Sequence, residues 1–301
     1  MSFESLLSEL QSLSVSVEAL AAVGAQLRLQ QQGRDADPRV RALLNEVVRE
    51  VAPQLLENVA ANQQAAALAL IQTIFRQALD LLENPARPPG WSYTDPDILQ
   101  SQGQVSRFIV RGIEALAAQR PALCEALRRP GAFLDVGTGV GWLAIEAARS
   151  WPALRVVGID PWEPALALAR KNLAASGVAE RVELRSQGGQ FLQEEAAFTL
   201  AWLPGPFIPE EIAEQALERV HRALVPGGWL ILGFNPSLPG PLAEALGRLR
   251  IVRSGGHPWT SKEVEEKLRA KSFEQIEVYS PAPPIVFVVG RRQVKRERQP
   301  C

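Results

Sequence analysis

Hydrophobic and polar positions follow two different patterns along the chain, and the change falls near residue 85. In the first part, apolar residues recur every three or four positions and Gly and Pro are scarce, which is typical of helices. We expect helices over 3–31, 38–60 and 62–83. The third is apolar on more than one face, so it should be buried. This region therefore predicts an all-helical cap or dimerisation module.

A stretch rich in Pro and aromatic residues separates the two parts. Residues 85–90 are predicted to be a linker and 91–97 a loop, because Pro and Gly disfavour both helix and strand there. One long helix is expected over 97–118, and a shorter one over 121–129. This stretch connects the helical region to the second pattern.

From Gly131 onwards, short apolar runs rich in β-branched residues alternate with amphipathic segments of helical length. Such alternation predicts a parallel sheet with helices on both faces. The last of these helices should begin at a capping box formed by Thr260 and Glu263, and a turn is expected at 226–228. The predicted strands are 132–136, 155–159, 181–185, 198–203 and 229–233, and the predicted helices are 141–150, 163–175, 210–224, 240–250 and 261–271.

The end of the chain departs from this alternation. Strands are expected at 273–279 and 285–289, joined through a Pro-rich turn, which indicates an antiparallel hairpin at one sheet edge. The fold class is therefore α/β and Rossmann-like, with a seven-stranded, mostly parallel sheet, an antiparallel terminal hairpin and an all-helical N-terminal extension. The predicted divisions are a helical region at 1–90, connecting loop and helices at 91–130, a ligand-binding core at 131–292 and a basic tail at 293–301.

Composition narrows the classes of function. The chain has 301 residues, 47% of them hydrophobic, and a net charge of −1, which fits a globular protein and gives no general basis for binding nucleic acid. The basic run at 291–298 is explained by a solvated terminus. Two cysteines and no Cys/His cluster predict neither a disulfide framework nor a metal site. No signal-peptide pattern and no long apolar run predict a cytoplasmic protein that does not span a membrane.

One loop carries a ligand-binding pattern. The first predicted strand ends in Gly-Thr-Gly-Val-Gly at 137–141, and a helix follows, whose free N–H groups and positive dipole end suit a polar ligand. Asp160 closes the second strand, 19 residues after Gly141, where a carboxylate can accept the hydroxyls of a ribose. The glycine spacing differs from the Gly-x-Gly-x-x-Gly of dinucleotide binders. The alternative interpretation of the loop is a tight turn without a ligand, and that of Asp160 is a helix cap.

Three segments in order carry a family resemblance. Leu134–Gly141 resembles motif I of class I methyltransferases that use S-adenosylmethionine (SAM), Val156–Asp160 resembles their second motif, and Ala223–Leu232 their strand-five segment. With the terminal hairpin, the resemblance covers about 130–290. It implies the SAM methyltransferase version of the Rossmann-like fold and SAM as the cofactor.

The resemblance also implies which residues bind SAM. Asp135 would lie near the methionine ammonium and contact it through water. The glycine loop would lie against the methionine and ribose, and Asp160 would hold the ribose. Two departures stand out. The segment after strand three, 186–190, lacks the adenine-binding acid of many members, and Gln187 or Gln190 would replace it. The segment after strand four, 201–207, lacks their acidic or Asn-Pro-Pro-Tyr-like motif. The implied cofactor residues are Asp135, Gly137, Thr138, Gly139, Gly141, Trp142, Asp160, Pro161, Trp162, Gln187, Gly188, Leu203, Pro204 and Gln102.

The acceptor side rests on aromatic residues and one histidine. A sulfonium methyl is already activated, so positioning and exclusion of water do most of the work, and a base is needed only if the acceptor loses a proton. His257, in a loop after strand five, is the candidate base, whereas His221 reads as structural. Aromatic residues at the ligand end favour an apolar or aromatic acceptor, with ordinary packing as the alternative. These substrate candidates are Trp91, Tyr93, Trp202, Phe207 and Trp259.

The sequence thus favours a small-molecule methyltransferase of secondary metabolism that acts on an O- or N-acceptor, with no nucleic-acid or membrane partner and a homodimer formed through the N-terminal helices. Two alternatives stay open: a SAM-binding enzyme that catalyses a non-methylating cyclisation or rearrangement, and a non-catalytic interaction protein. A nicotinamide dehydrogenase is disfavoured by the glycine spacing.

Overall fold

The computed structural model describes residues 2–51, 60–234, 240–282 and 285–294. It divides the chain into two compact units, Met1–Pro85 and Ala86–Cys301. The region expected to connect two domains, 91–130, therefore belongs to the second unit. Most of the predicted basic tail, 295–301, lies outside the described residues.

The first unit is helical, as expected. Its described helices are α1 (Phe3–Gln32), α2 (Pro38–Val51) and α3 (Ala61–Glu83). The predicted continuation of α2 over 52–59 lies outside the described residues. A small core joins the three helices, built from Val23, Leu27, Val48, Leu68 and Ile71.

The expectation that α3 is buried is wrong. Leu68 and Ile71 are buried, but Leu79 and Leu82 are 51% and 78% exposed. Within this unit α3 packs against α1 and shares a small core with Val48 of α2, so one stripe of α3 is covered and much of the rest stays exposed. By length and composition alone, α1 and Gln63–Glu83 are apolar enough to cross a membrane, a test that the core helices of many globular proteins also pass.

Three helices open the second unit: α4 (Pro96–Ser106), α5 (Phe108–Ala118) and α6 (Pro121–Arg128). The single helix expected over 97–118 is thus interrupted at Arg107. The Arg107 guanidinium donates to Glu146 Oε2 at 2.9 Å and lies 5.3 Å from the centre of the Trp142 ring. The break therefore falls where a long polar side chain turns towards the following β/α region.

The described part of the second unit forms a seven-stranded sheet in the order β3-β2-β1-β4-β5-β7-β6. Pairs from β3 to β5 are parallel, and both pairs involving β7 are antiparallel, which confirms the predicted fold. The elements are β1 (Gly131–Val136), α7 (Trp142–Ser150), β2 (Leu154–Asp160), α8 (Glu163–Ala174), β3 (Val182–Ser186), β4 (Phe198–Pro204), α9 (Glu210–Ala223), β5 (Leu224–Phe234), α10 (Pro241–Arg253), α11 (Ser261–Ala270), β6 (Phe273–Ala282) and β7 (Ile285–Arg292).

The turn expected at 226–228 lies inside β5 rather than before it. Phe198 pairs with Leu224, yet Leu200 pairs with Trp229, so the β5 side has three extra residues at this point. Gly227, with φ +80°, accommodates the distortion. The Pro-Gly-Gly signal therefore marks a bulge in a longer strand.

The strand order reverses beside β1, which lies between β2 and β4. In open parallel sheets, the loops leaving the carboxyl ends of strands diverge at this point and leave a crevice. The loops after β1, β2 and β4 consequently border one site.

Candidate functional site

In the loop after β1, every second residue is a glycine with a positive φ. Gly137, Gly139 and Gly141 have φ values of +68°, +56° and +80°, which side-chain-bearing residues rarely adopt. The N–H groups of Gly137 and Thr138 both donate to the Ile159 carbonyl, at 2.8 and 3.0 Å. The loop is thereby fastened to β2.

The three glycines meet different surroundings. A Cβ on Gly137 would lie 2.9 Å from Pro204 Cγ, and one on Gly141 would lie 3.2 Å from Ala169 Cβ. A Cβ on Gly139 would meet nothing closer than the Gly137 carbonyl at 4.0 Å. Gly137 and Gly141 thus allow the loop to pack closely against Pro204 and Ala169, whereas Gly139 leaves open space over the loop.

Asp160, at the end of β2, binds the loop with one oxygen and its own chain with the other. Oδ2 accepts from the Gly139 N–H at 2.9 Å, and Oδ1 accepts from the Trp162 N–H at 2.8 Å. Burial raises the pKa of Asp160, and these two hydrogen bonds partly oppose the rise. Each oxygen keeps a lone pair, so the carboxylate can still accept hydroxyl groups.

Asp135 lies beneath the same loop and is almost fully buried. Its Oδ2 accepts from Thr138 Oγ1 at 2.7 Å, while its Oδ1 has no hydrogen-bond partner among the described residues. The pKa of Asp135 is raised to about 7, mainly by burial, and the nearby Asp160 charge adds to the rise. The hydrogen bond from Thr138 partly opposes it. A positively charged ligand group would satisfy this carboxyl.

Aromatic side chains line the approach to the loop. Trp91 makes edge-to-face contacts with Tyr93 and Phe207, with ring centres 5.1 Å apart in both pairs. Trp162 Nε1 donates to the Tyr93 carbonyl at 2.7 Å, which ties this wall to the segment after β2. The structure thus brings together three of the predicted substrate residues, while Pro161 is exposed beside them.

Arg87, which sequence reasoning missed, supports this aromatic wall. Its guanidinium stacks 4.8 Å from the centre of the Tyr93 ring and donates to the Tyr93 hydroxyl at 3.2 Å. It also donates to the Gly90 carbonyl at 2.8 Å. An isolated arginine in a Pro-rich linker carries no pattern that sequence reasoning could use.

Gln100 on α4, which with Gln102 and Ser106 is expected from the sequence to add polar contacts to SAM, supports the glycine loop through a side chain of α7. Trp142 Nε1 donates to Gln100 Oε1 at 2.8 Å, so Gln100 rather than Gln102 bonds to this cofactor candidate. Gln102 lies half-buried two residues further along α4. Its predicted contact with the cofactor stays a prediction.

The segment after β3 holds two of the predicted cofactor residues, Gln187 and Gly188. Gln187 turns its amide onto the Phe191 carbonyl, with Nε2 and O 2.8 Å apart, and Gly188 is covered by the Gln190 side chain. Phe191 is 64% exposed, an unusual position for an aromatic ring. Sequence reasoning missed it, although a lone aromatic in a polar loop is a recognisable signal.

Three predicted site residues lie in the core instead. Trp202 is 5% exposed and packs on Phe287, with ring centres 5.7 Å apart. Leu203 is fully buried on the opposite face of β4. Trp259 is 8% exposed and lines a cavity of about 310 Å³ with residues of α9 and α11. Trp202 and Leu203 are successive strand residues and therefore point into the two hydrophobic layers. The predicted ligand contacts of all three residues stay predictions.

His257 is paired with a carboxylate. Its Nδ1 lies 3.3 Å from Glu210 Oε2, and both side chains are more than two-fifths exposed. Burial raises the pKa of Glu210, but the Lys267 hydrogen bond and the His257 charge outweigh this and leave it below the ordinary value. A Cβ on the preceding Gly256 would lie 2.1 Å from the Pro206 carbonyl, so this loop abuts the turn after β4.

His221 has the structural position expected of it. Its ring packs edge-to-face on Phe273, with centres 4.9 Å apart. Burial lowers its pKa, and the neighbouring Arg292 charge adds to this effect. Within the described part of the chain, no group of three or more His, Cys, Asp or Glu side chains is arranged to hold a metal ion.

Comparison with known proteins agrees with this arrangement. A family model described as a methyltransferase domain matches residues 133–228. The ribosomal protein L11 methyltransferase of Trichlorobacter lovleyi is 31% identical over 167 residues, which cover 55% of this chain and 48% of that protein. The chain thus spans about half the length of this curated relative.

Solved structures extend the likeness to nearly the whole chain. Human N-acetylserotonin methyltransferase in complex with SAM aligns with a TM-score of 0.65 at 14% identity, over 96% of this chain and 98% of that one. The pyocyanin biosynthetic protein PhzM aligns with a TM-score of 0.63 at 17% identity, over 97% and 100%. At such low identity these likenesses concern the fold.

Together, the matched domain and the shared fold confirm the resemblance inferred from the three sequence segments, and the human enzyme of the same fold was solved with SAM bound. They do not involve particular side chains, so the individual cofactor and substrate residues stay predictions.

Proposed function

We propose that this chain, whose core is a class I SAM-dependent methyltransferase domain, transfers a methyl group from SAM to a small apolar or aromatic molecule with an O- or N-acceptor. The observation that carries the proposal is the aromatic wall of Trp91, Tyr93 and Phe207. Trp91 and Tyr93 pack against the buried cluster that contains Val140 of the glycine loop. Flat rings packed edge-to-face offer an apolar surface on which another flat molecule can stack.

The residues present fit the cofactor. Asp135 has a buried, unpartnered oxygen that suits the methionine ammonium, reached directly or through a water. Gly139 leaves open space where a side chain would project, and Asp160 keeps lone pairs for the ribose hydroxyls. The positively polarised start of α7 suits the methionine carboxylate.

SAM supplies an electrophilic methyl group on a sulfonium. The protein has to hold the acceptor in line with that group and keep water away. Trp162 and Tyr93, joined through the Tyr93 carbonyl, cover the approach with apolar surface. Their ring faces also attract a positively charged sulfonium.

A base is supplied by His257 when the acceptor must lose a proton. Glu210 lies against Nδ1 and favours the tautomer in which that nitrogen carries the hydrogen, which leaves Nε2 as the proton acceptor. The loop that holds His257 abuts the turn carrying Phe207. This pairing supports the base role without a metal.

Formation of S-adenosylhomocysteine tests the proposal. The protein would be incubated with SAM and a panel of phenols, aromatic amines and aliphatic alcohols, and each mixture analysed for S-adenosylhomocysteine and methylated product. We expect turnover with at least one aromatic acceptor. Bound SAM that is never consumed would instead favour a non-methylating enzyme or an interaction protein.

Variants of the wall locate the acceptor. Trp91→Leu should raise the KM of the acceptor by roughly tenfold, because stacking on an aromatic ring contributes about 1 kcal/mol or more. The matched control is Tyr279→Phe, which changes the chain's other tyrosine, a partner of Gln119 far from the wall in the sequence. Equal effects of the two variants would remove the wall from the acceptor site.

We propose in addition that the protein is a cytoplasmic homodimer joined through its N-terminal helices. Leu10 and Leu13 on α1 are more than half exposed, and so is Leu82 on α3. Large exposed apolar patches commonly mark protein–protein contacts. Light scattering should give the mass of two chains, and Leu10→Glu should give one.

A further inference from the structure

An amide pair outside the glycine loop fixes one of the loop's carbonyl groups. Asn172, on α8, donates through Nδ2 to the Val140 carbonyl at 2.9 Å. Val140 is the fourth residue of the Gly-Thr-Gly-Val-Gly loop and is itself buried. The carbonyl therefore depends on this side chain for a hydrogen bond that water would reach poorly.

Asn172 is held in turn by Gln100 on α4. Gln100 Nε2 donates to Asn172 Oδ1 at 3.0 Å, and Asn172 Nδ2 donates back to Gln100 Oε1 at 3.2 Å. The same Oε1 accepts from Trp142 Nε1 at 2.8 Å. Two amides and one indole thus form a closed network around the point where the loop becomes helix α7.

The backbone of α4 lies against the loop at the same place. A Cβ on Gly103 would be 2.2 Å from Val140 Cγ2 and 3.0 Å from Trp142 Cδ1. Only a residue without a side chain allows this approach. Both the network and the close packing bring α4 against the last residues of the loop.

We propose that Gln100 and Asn172 are positioning residues that hold the Val140–Trp142 end of the loop in the conformation that accepts SAM. The proposal rests on the proposed function, since it names what supports the cofactor site. Three residues of the loop have positive φ and so need external contacts to select one conformation. Without the amide pair, the loop samples other conformations and binds the cofactor less tightly.

Two Asn172 variants test the proposal, with SAM binding measured by isothermal titration calorimetry. Asn172→Asp keeps the shape but replaces both donors by acceptors, and Asn172→Leu removes all polar atoms. We expect the Kd for SAM to rise roughly tenfold in both, equivalent to about 1.4 kcal/mol at 25 °C. Gln119→Leu, which removes an amide contact with Tyr279 at the C-terminal end of α5, is the matched control and should leave Kd unchanged.

Two further readouts separate positioning from general destabilisation. Thermal unfolding of each variant shows whether Tm falls, and a tenfold loss of affinity with Tm within a few degrees supports positioning. Combining Gln100→Leu with Asn172→Leu should cost little more affinity than either alone, because both act through one network. With an accepted substrate, KM for SAM should rise while kcat stays within about twofold.

The outcomes are distinct. A folded Asn172→Asp protein that binds SAM as tightly as the wild type overturns this inference and leaves the proposed function standing. A wild-type protein that binds no SAM overturns the proposed function itself. Equal loss of affinity in Gln119→Leu would show that general destabilisation explains the effect.

Discussion

The carboxyl group of Asp135 should couple SAM binding to pH. Its pKa is raised to about 7 by burial, so roughly 90% of it is protonated at pH 6 and roughly 10% at pH 8. If the methionine ammonium requires the carboxylate, cofactor binding must first remove that proton. The apparent Kd should then be about tenfold larger at pH 6 than at pH 8, and binding at pH 6 should release about 0.9 proton per site.

Calorimetry in two buffers measures this proton directly. Titrations of SAM at pH 6 in buffers of different ionisation enthalpy give apparent binding enthalpies whose slope is the number of protons released. The cofactor's own amino group also titrates, so Asp135→Asn supplies the baseline. We expect the variant to bind more weakly and to lose the release at pH 6.

The same carboxyl affects stability with the opposite pH dependence: it favours folding at low pH, whereas it favours SAM binding at high pH. Because its folded pKa lies above its ordinary value of 3.8, the folded protein binds more protons than the unfolded chain between pH 3.8 and about 7, and stability falls as pH rises through this window. Asp135→Asn should therefore raise Tm more at pH 8 than at pH 5. Tight SAM binding with no proton release at pH 6 in the wild type would refute the reasoning for Asp135.

Three other expectations follow from the site. Asp160→Ala leaves two backbone N–H groups without their acceptor, at a cost of roughly 1–3 kcal/mol each. SAM affinity should therefore fall more than tenfold, and Tm should drop. An unchanged Kd in isothermal titration would exclude Asp160 from the cofactor site. His257→Ala should lower kcat by roughly 10²–10⁴ for acceptors that lose a proton, Glu210→Gln should lower it less, and methylation of acceptors that lose no proton should be insensitive to both. The pKa of His221 is lowered by burial, so the folded protein should lose stability as pH falls below about 6.5, the ordinary histidine value; urea midpoints between pH 7 and pH 5 should fall less in His221→Gln.

The cofactor side of the site could be predicted from the sequence for a physical reason. Gly137–Gly141 and Asp160 follow two strands that pair in parallel, and parallel strands end at the same edge of a sheet. The hydrogen bond from the Gly139 N–H to Asp160 Oδ2 is a direct result of that topology. Local signals and one topological rule were enough.

The remaining contacts depend on tertiary packing, which local patterns do not encode. Gln100 and Asn172 are 72 residues apart and carry no periodic signal, yet they meet across two helices. Trp202 and Trp259 are both buried, and closeness to a strand end in the sequence does not tell which hydrophobic layer a ring enters. No Gly or Pro lies at the helix break at Arg107, so the local sequence does not predict it.

Binding of SAM in preference to NAD tests the central claim most directly. Wild-type protein and a Gly139→Val variant would each be titrated with both compounds in a calorimeter. The account predicts one SAM per chain for the wild type, no measurable NAD binding, and at least a hundredfold weaker SAM binding by the variant, because valine is strained at φ +56° and fills the open space above the loop. Binding of NAD without SAM, or full SAM affinity in Gly139→Val, would contradict it.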